Sequence, residues 1–259
     1  MEQRSVNTRL VWTVRIVLLV GFLAFWEGGV RAGILDPFFY SSPGQILTRL
    51  AQWTRDGSIF QHIGITLWEM MLGFTIGTLV GMVLGFIMAR SAYLGAIFEP
   101  VMALFNAIPR LVLAPLFILW LGLGIGSKVV MSLALVVFVV FFATYTGIRE
   151  VDPALIANAR ILGAGSNDLT RHVLIPSALS WIFSSLRTSV GFALIGAVVG
   201  EYLGSTRGVG YLVSFAESMF DAGGVFAGLV VMVIMAGGLD FLIGRVEARL
   251  TAWKPQHGR

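Results

Sequence analysis

A glycine-rich stretch at residues 122–128 could be taken for a phosphate-binding loop. Such a loop ends in Gly-Lys-Ser or Gly-Lys-Thr, so that backbone N–H groups and the lysine together hold phosphate oxygens. Here the order is Gly-Ser-Lys, ending at Lys128. The chain also has no cysteine, its three histidines lie far apart, and no Gly-x-Ser-x-Gly or His-Glu-x-x-His motif occurs. The sequence therefore predicts no catalytic residue, no metal site and no cofactor in this chain, and we do not expect an enzyme.

Two arginines, Arg110 and Arg187, fall deep inside long apolar stretches. A charge at that depth in a membrane costs about 3 kcal/mol, so such groups usually face a bundle interior or water. Pro109 and Pro115 flank Arg110 and predict a bent helix with part of its backbone free. Both arginines are therefore candidates for a translocation pathway.

A plainer alternative remains for both arginines. Either side chain could reach the headgroup region, or pair with an acid such as Glu99 or Asp240. If instead an arginine contacts solute, an oxyanion or a polar acid is favoured, because guanidinium binds such groups in a bidentate way.

The composition indicates that these stretches cross a membrane. Hydrophobic residues make up 57% of the 259 residues and charged residues only 12%, against about 25% charged in a soluble domain. About 20 apolar residues span the hydrocarbon core, and six stretches qualify: about 11–30, 64–89, 97–121, 128–148, 178–200 and 223–244. The predicted fold is an all-α polytopic membrane bundle of about six transmembrane helices, forming a single domain over residues 1–259.

The distribution of basic residues predicts that both termini are cytoplasmic. With the N-terminus inside, eleven Lys and Arg residues lie inside and five outside, which agrees with the positive-inside rule. The inside set is Arg4, Arg9, Arg15, Arg90, Arg149, Arg160, Arg171, Arg245, Arg249, Lys254 and Arg259, and the outside set is Arg31, Arg49, Arg55, Lys128 and Arg207. The net charge of +4 is thus explained by a membrane partner, and nucleic acid is not expected as one.

A charged segment at about 150–176 separates the fourth and fifth stretches. Asp152 before Pro153 is typical of a helix N-cap with proline in the first turn. The predicted helix, 153–162, ends at Gly163, and a second helix over 166–174 is predicted to end at Pro176. The segment could dock on a cytoplasmic partner or lie on the lipid surface, and the residue pattern favours neither.

Four glycines repeat every fourth residue in the second stretch: Gly73, Gly77, Gly81 and Gly85. On a helix they form one stripe, which lets another backbone approach closely. Ordinary helix packing is the favoured interpretation, with a moving seam beside the pathway as the alternative.

The charged segment resembles the cytoplasmic signature of the permease subunits of binding-protein-dependent ABC importers, in the nitrate/sulfonate/taurine branch. That signature reads Glu-Ala-Ala-x-x-x-Gly, then nine residues, then Ile-x-Leu-Pro. Ala159, Gly163, Val173 and Pro176 fit the spacing, whereas Ala157 replaces the usual Glu. Asn158 likewise replaces the usual Ala, and further similar stretches bring the match to about residues 35–253: 41–47, 108–122, 200–204 and 208–212.

The resemblance implies an inner-membrane importer permease of the type I fold, with two copies, as a homodimer, forming one pathway for a small polar solute such as nitrate, a sulfonate or taurine. A separate pair of cytoplasmic ATPase subunits would bind ATP and Mg, and an external binding protein would deliver the solute. The coupling residues would be Ala157, Asn158, Ala159, Arg160, Gly163 and Ala164.

Two alternatives are weighed against this expectation. One is a membrane enzyme or a structural scaffold, which the absence of a catalytic set disfavours. A stand-alone secondary transporter would need inverted repeats and paired broken helices, and no internal repeat is found. Glu69, where branch members often carry a basic residue, argues against an anionic solute.

Overall fold

The computed structural model describes the backbone of residues 8–250 and the side chains of residues 9–245. Residues Arg4, Lys254 and Arg259 of the charge count lie outside the described residues, as does the side chain of Arg249. The described helices are α1 (Thr8–Arg31), α2 (Pro37–Tyr40), α3 (Pro43–Arg55), α4 (Ser58–Arg90), α5 (Ala92–Ala107), α6 (Ala114–Leu121), α7 (Ile125–Arg149), α8 (Pro153–Ile161), α9 (Ser166–Leu169), α10 (Ile175–Gly204), α11 (Val209–Ser218) and α12 (Ala222–Leu250).

Five described helices are long and apolar enough to cross a membrane, and a bent pair adds a sixth span. The prediction of about six transmembrane helices in an all-α bundle is thus confirmed. The third predicted span, 97–121, is not one straight helix: α5 and α6 meet at 80°, with a 3₁₀ turn over Arg110–Leu113 between them. The predicted bend is confirmed, because Pro109 cannot donate the hydrogen bond that would continue α5.

The chain forms two compact units, 8–60 with 212–230 and 61–211 with 231–250 within the described residues. The single domain predicted for residues 1–259 stays a prediction. In the first unit, the connection between the first two predicted spans holds α2 and α3. Each begins with proline after a capping residue: the Asp36 carboxylate accepts from Phe38 N at 2.9 Å, and the Ser42 hydroxyl accepts from Gln45 N at 3.3 Å.

The core of the second unit centres on α7, whose buried side chains include Met131, Val136, Val140 and Phe141. On one side the four-glycine stripe of α4 lies against it. An ideal Cβ at Gly73, Gly77, Gly81 or Gly85 would come within 3.0 Å of α7 atoms. For Gly81 the nearest atom is the backbone carbonyl oxygen of Val137, at 2.7 Å.

On its other side α7 runs antiparallel to α10, again through glycines. A Cβ at Gly196 would meet the backbone of Ser132, and one at Gly147 would meet Trp181. The Ser132 hydroxyl also donates to the carbonyl of Ala193 at 2.8 Å. The small residues therefore set the register of α7 against both neighbours.

Candidate functional site

The charged segment forms a short helix, α8, that is capped at both ends. The Asp152 carboxylate accepts from Ala154 N at 2.8 Å, which confirms the predicted N-cap. At the other end Ala164 N donates to Ala159 O and Gly163 N to Arg160 O, both at 3.0 Å. This pair of hydrogen bonds is a Schellman motif, which needs a left-handed residue at Gly163, and its φ is 88°.

The surface of α8 is open, and its final residues present apolar side chains. Ile161 and Leu162 are 82% and 88% exposed, and Leu155 is 53% exposed. Of the predicted coupling residues, Ala159 and Ala164 are half-buried, and the following four are exposed: Ala157, Asn158, Arg160 and Gly163. The segment therefore offers a small rigid projection with an apolar tip.

The second predicted helix of the segment differs from expectation. It does not end at Pro176: α9 continues through a π-helical turn, Thr170–Leu174, directly into α10. The wider turn lets the chain pass Pro176 without the clash between its ring and the carbonyl four residues earlier that would stop a regular helix. The segment is thus joined to a long span without a break.

A second connection ties the segment to α4. Arg90, the last residue of α4, donates to the Thr170 hydroxyl and to the Ser166 hydroxyl at 3.3 Å. The base of the segment is therefore held by two membrane helices, α4 and α10.

Arg110, a predicted pathway residue, lies in the bend between α5 and α6. Its guanidinium donates to Leu135 O at 3.3 Å, contacts the Asn106 side chain and stacks over the ring of Phe138 at 4.7 Å. No carboxylate neutralises it among the described side chains, since Glu99 instead accepts from the Tyr145 hydroxyl at 2.8 Å. The guanidinium is only partly buried.

Arg187, the other predicted pathway residue, makes an ion pair with Asp240. Its Nε and Nη2 donate to the two carboxylate oxygens at 2.9 and 3.0 Å. The pair is about half exposed in the chain. The alternative that an acid such as Asp240 would neutralise this arginine therefore matches the structure.

Sequence reasoning missed a buried polar cluster at the far end of α7 from α8. Lys128, which the charge count places on the outside, lies in the first turn of α7 and is fully buried. Its ammonium donates to the carbonyls of Leu123 at 2.5 Å and Gly124 at 3.0 Å, just before α7, and to that of Gly204 at 2.5 Å, the last residue of α10. Carbonyls at a helix end attract a cation, which favours this placement.

Two buried glutamates complete this cluster. Glu201 accepts from Gly210 N at 2.7 Å, and Glu69 lies beside both Glu201 and Lys128. Glu69 is therefore not displayed to solute, and it gives no reason to exclude an anionic one. No local signal in the sequence joins these residues, because they come from α4, α7 and α10.

Comparison with known proteins decides the family. Residues 77–252 match the model described as the binding-protein-dependent transport system inner membrane component. The chain belongs to this family. It is the membrane-spanning permease subunit of an ABC importer and not an enzyme, and a stand-alone transporter is not supported.

Named relatives of this permease span nearly its whole length. A probable ABC transporter permease protein of Haemophilus influenzae is 34% identical, over 88% of this chain and 92% of that protein. The riboflavin transport system permease RibX of Chloroflexus aurantiacus is 34% identical over 92% and 89%. The taurine transport system permease TauC of Escherichia coli is 28% identical over 93% and 90%, so the predicted branch is confirmed.

A solved structure supports the same fold. The permease resembles a chain of the MetNI methionine ABC transporter, solved in inward-facing conformations, with a TM-score of 0.61. The similarity covers 77% of this chain and 97% of that chain at 21% identity, so it supports the assignment of the fold and nothing more specific.

Proposed function

We propose that two copies of this permease form one pathway across the cytoplasmic membrane, with both termini cytoplasmic. α8 docks on a cytoplasmic ATPase subunit, which binds the ATP and Mg, and a pair of such subunits drives alternating access. An external binding protein delivers a small polar solute such as nitrate, a sulfonate or taurine. The relatives named for taurine and riboflavin support an organic solute.

The observation that carries this proposal is the apolar tip of α8. Ile161 and Leu162 are almost fully exposed at the end of a helix that both caps hold rigid. Exposed apolar residues on a rigid helix are typical of a surface that fits a groove on another protein. A helix resting on lipid would bury these side chains in the membrane instead, and solute uptake per ATP hydrolysed by a Gly163 variant separates the two.

The connections of the segment explain how docking could drive transport. A displacement of α8 would pass through α9 and the π-helical turn into α10, and through Arg90 into α4. Both helices pack closely on α7 across glycines, so a shift of either helix would change its contacts with α7. Movement at the ATPase would thereby change the packing around α7.

The experiment compares two glycines of the same segment in the importer reconstituted with its ATPase partner. Gly163→Val places a branched side chain at φ 88°, which L residues resist. Gly165→Val is the matched control, since Gly165 has an ordinary φ of −75°. We expect Gly163→Val to reduce solute uptake per ATP hydrolysed, with normal insertion, and the control to remain coupled. Normal coupling by Gly163→Val would mean that α8 only rests on lipid.

The orientation has its own test. Cysteines placed singly at Gln45 and Phe215 should react with an impermeant thiol reagent from outside the cell, and one at Arg160 only from inside. The natural chain has no cysteine, so each label reports one position. Labelling of residue 160 from outside would contradict the proposed topology.

A further inference from the structure

A cleft within the second unit runs between α7 and α10 on the face away from the glycine stripe of α4. Its volume is about 360 Å³. The wall from α7 consists of Val139, Phe142, Ala143 and Thr146, and the wall from α10 consists of Trp181, Ser184, Ser185 and Thr188. Four of its eight lining residues thus carry hydroxyl groups.

The hydroxyl groups of this cleft are available for a ligand. Ser185 donates to Ile182 O at 2.8 Å, whereas the Ser184 and Thr188 hydroxyls have no hydrogen-bond partner among the described residues. An unpaired hydroxyl facing hydrocarbon is costly, and a helix that faced only lipid here would be more stable with apolar residues at these positions. A row of such groups along one face therefore points to water or a polar solute in the cleft.

Arg110 lies at one end of the same face of α7. It contacts Leu135 and Phe138. Each of these residues lies one helical turn before a lining residue of the cleft, Val139 or Phe142. Because α7 and α10 are antiparallel, with Gly196 beside Ser132 and Gly147 beside Trp181, Thr188 lies about 3 Å along the axis from the level of Phe138. The guanidinium of Arg110 therefore lies at nearly the same depth in the membrane as the hydroxyl group of Thr188.

None of the eight lining residues is charged, and Arg110 is a cation placed at one end of this face of α7. Arg187 is already neutralised by Asp240, and Glu69 is buried in another cluster. Trp181 and Phe142 add flat apolar surface beside the hydroxyls. A cation, hydroxyl donors and aromatic walls together suit an anionic head on a small organic body.

We propose that this cleft is a solute subsite for small organic anions, with Arg110 attracting the anionic group and Ser184 and Thr188 donating hydrogen bonds to it. The inference rests on the proposed function to the extent that the solute passes along this chain. It makes no use of the ATPase contact at α8. The competing occupant is a helix of the second permease copy.

The test uses the cysteine-free chain in the assembled importer, held in lipid nanodiscs so that reagents reach both faces. Thr188→Cys is treated with two methanethiosulfonate reagents of similar size, one bearing a sulfonate and the other a trimethylammonium group. We expect the anionic reagent to react about tenfold faster or more, relative to their rates with free thiol, because Arg110 is near. Adding Arg110→Gln should remove most of that preference. Ser184→Cys repeats the measurement if Thr188→Cys is poorly recovered.

Val233→Cys on α12 is the control for exposure without a cleft. Val233 is 71% exposed in the chain and has apolar neighbours in sequence, so its cysteine should stay unreactive in lipid. If Thr188→Cys reacts as slowly as this control, the cleft faces lipid and the proposal is overturned. If two Thr188→Cys copies form a disulfide efficiently, the second permease copy fills the cleft and the proposal is likewise overturned. Fast reaction without charge preference would overturn the anion assignment.

Failure here is distinguishable from failure of the proposed function. Reagent rates at Thr188→Cys do not depend on ATP hydrolysis. An uncoupled importer with a charge-selective cleft would therefore count against α8 docking alone, and a coupled importer with an unreactive cleft would count against the subsite alone.

Discussion

The two ends of α7 hold polar groups in opposite ways. At its first turn Lys128 is fully buried, with three carbonyl partners and two glutamates around it. Along the later turns of α7, the hydroxyl groups of the cleft and the nearby guanidinium of Arg110 are not enclosed by this chain, and only some of them have hydrogen-bond partners. Charged groups occur at both places, but only the cluster around Lys128 is closed to a solute.

The two places differ in whether an intramembrane charge is free to interact with a solute. A buried cation such as Lys128, with three hydrogen-bond acceptors in the chain and carboxylates beside it, is held by structure, and removing it leaves those carboxylates buried without a counter-charge. An open cation without a carboxylate partner can still bind something else. By this criterion the cluster around Lys128 holds helices together, whereas Arg110 is the pathway candidate and Arg187 a weaker one.

The largest effect is expected for Lys128→Met, which keeps the length of the side chain but removes the ammonium. Glu69 and Glu201 would remain buried without a cation, so the free energy of unfolding should fall by about 3–5 kcal/mol. Thermal unfolding in detergent measures it. Arg207→Met, an exposed cation in the loop after α10, is the control and should change little.

A double variant sharpens this result. Adding Glu201→Gln to Lys128→Met removes one of the stranded carboxylates, so part of the stability should return. If Lys128→Met alone is as stable as the natural permease, the cluster is not structural and the contrast between the two ends of α7 fails.

The next largest effect is expected for Gly81→Leu at the contact of α4 with α7. The added side chain would push against the carbonyl of Val137 and the side chain of Val140, at a cost of about 1–3 kcal/mol. Gly64→Leu on the same helix is the matched control, because nothing lies within 4 Å of its Cβ position. Equal thermal stability and yield for both variants would show that α4 does not use this stripe.

Arg110→Gln should affect transport more than stability. The change removes the charge while keeping a hydrogen-bond donor for Asn106 and Leu135, and the loss of a charged hydrogen bond to solute should reduce uptake about tenfold or more. Solute uptake into vesicles containing the importer measures the loss of transport, and thermal unfolding measures whether stability is unchanged. Full uptake with unchanged apparent affinity would exclude the side chain from the pathway.

The smallest effect is expected for the ion pair between Arg187 and Asp240. Both side chains are about half exposed, so a double-mutant cycle of Arg187→Gln and Asp240→Asn should give a coupling free energy below about 1 kcal/mol. Uptake by the double variant should stay near the natural level. A large loss of uptake that the double variant does not recover would bring Arg187 back as a pathway residue.

Local features of the sequence predicted much of the fold. The six spans followed from apolar length, the bend at Arg110 from its flanking prolines, and the ends of α8 from Asp152 and Gly163. One local prediction was wrong: the helix over 166–174 continues past Pro176, because a π-helical turn relieves the clash that proline usually causes.

The candidate site was less accessible to prediction. The glycine period of α4 indicated a close helix contact but could not identify α7 as the neighbour. Glu69, Lys128 and Glu201 carry no motif and lie on three helices, so their cluster could not be foreseen. The same holds for the cleft, whose hydroxyls come from both α7 and α10.

The amino-acid sequence by itself determined which segments enter the membrane, where helices begin, bend and end, and which family the chain resembles. Those properties depend on neighbours within a few residues: apolar length, proline geometry and capping groups. Which charges are neutralised and which remain open depends on the tertiary packing of the helices, because the register of packed helices brings residues that are far apart in sequence beside each buried charge.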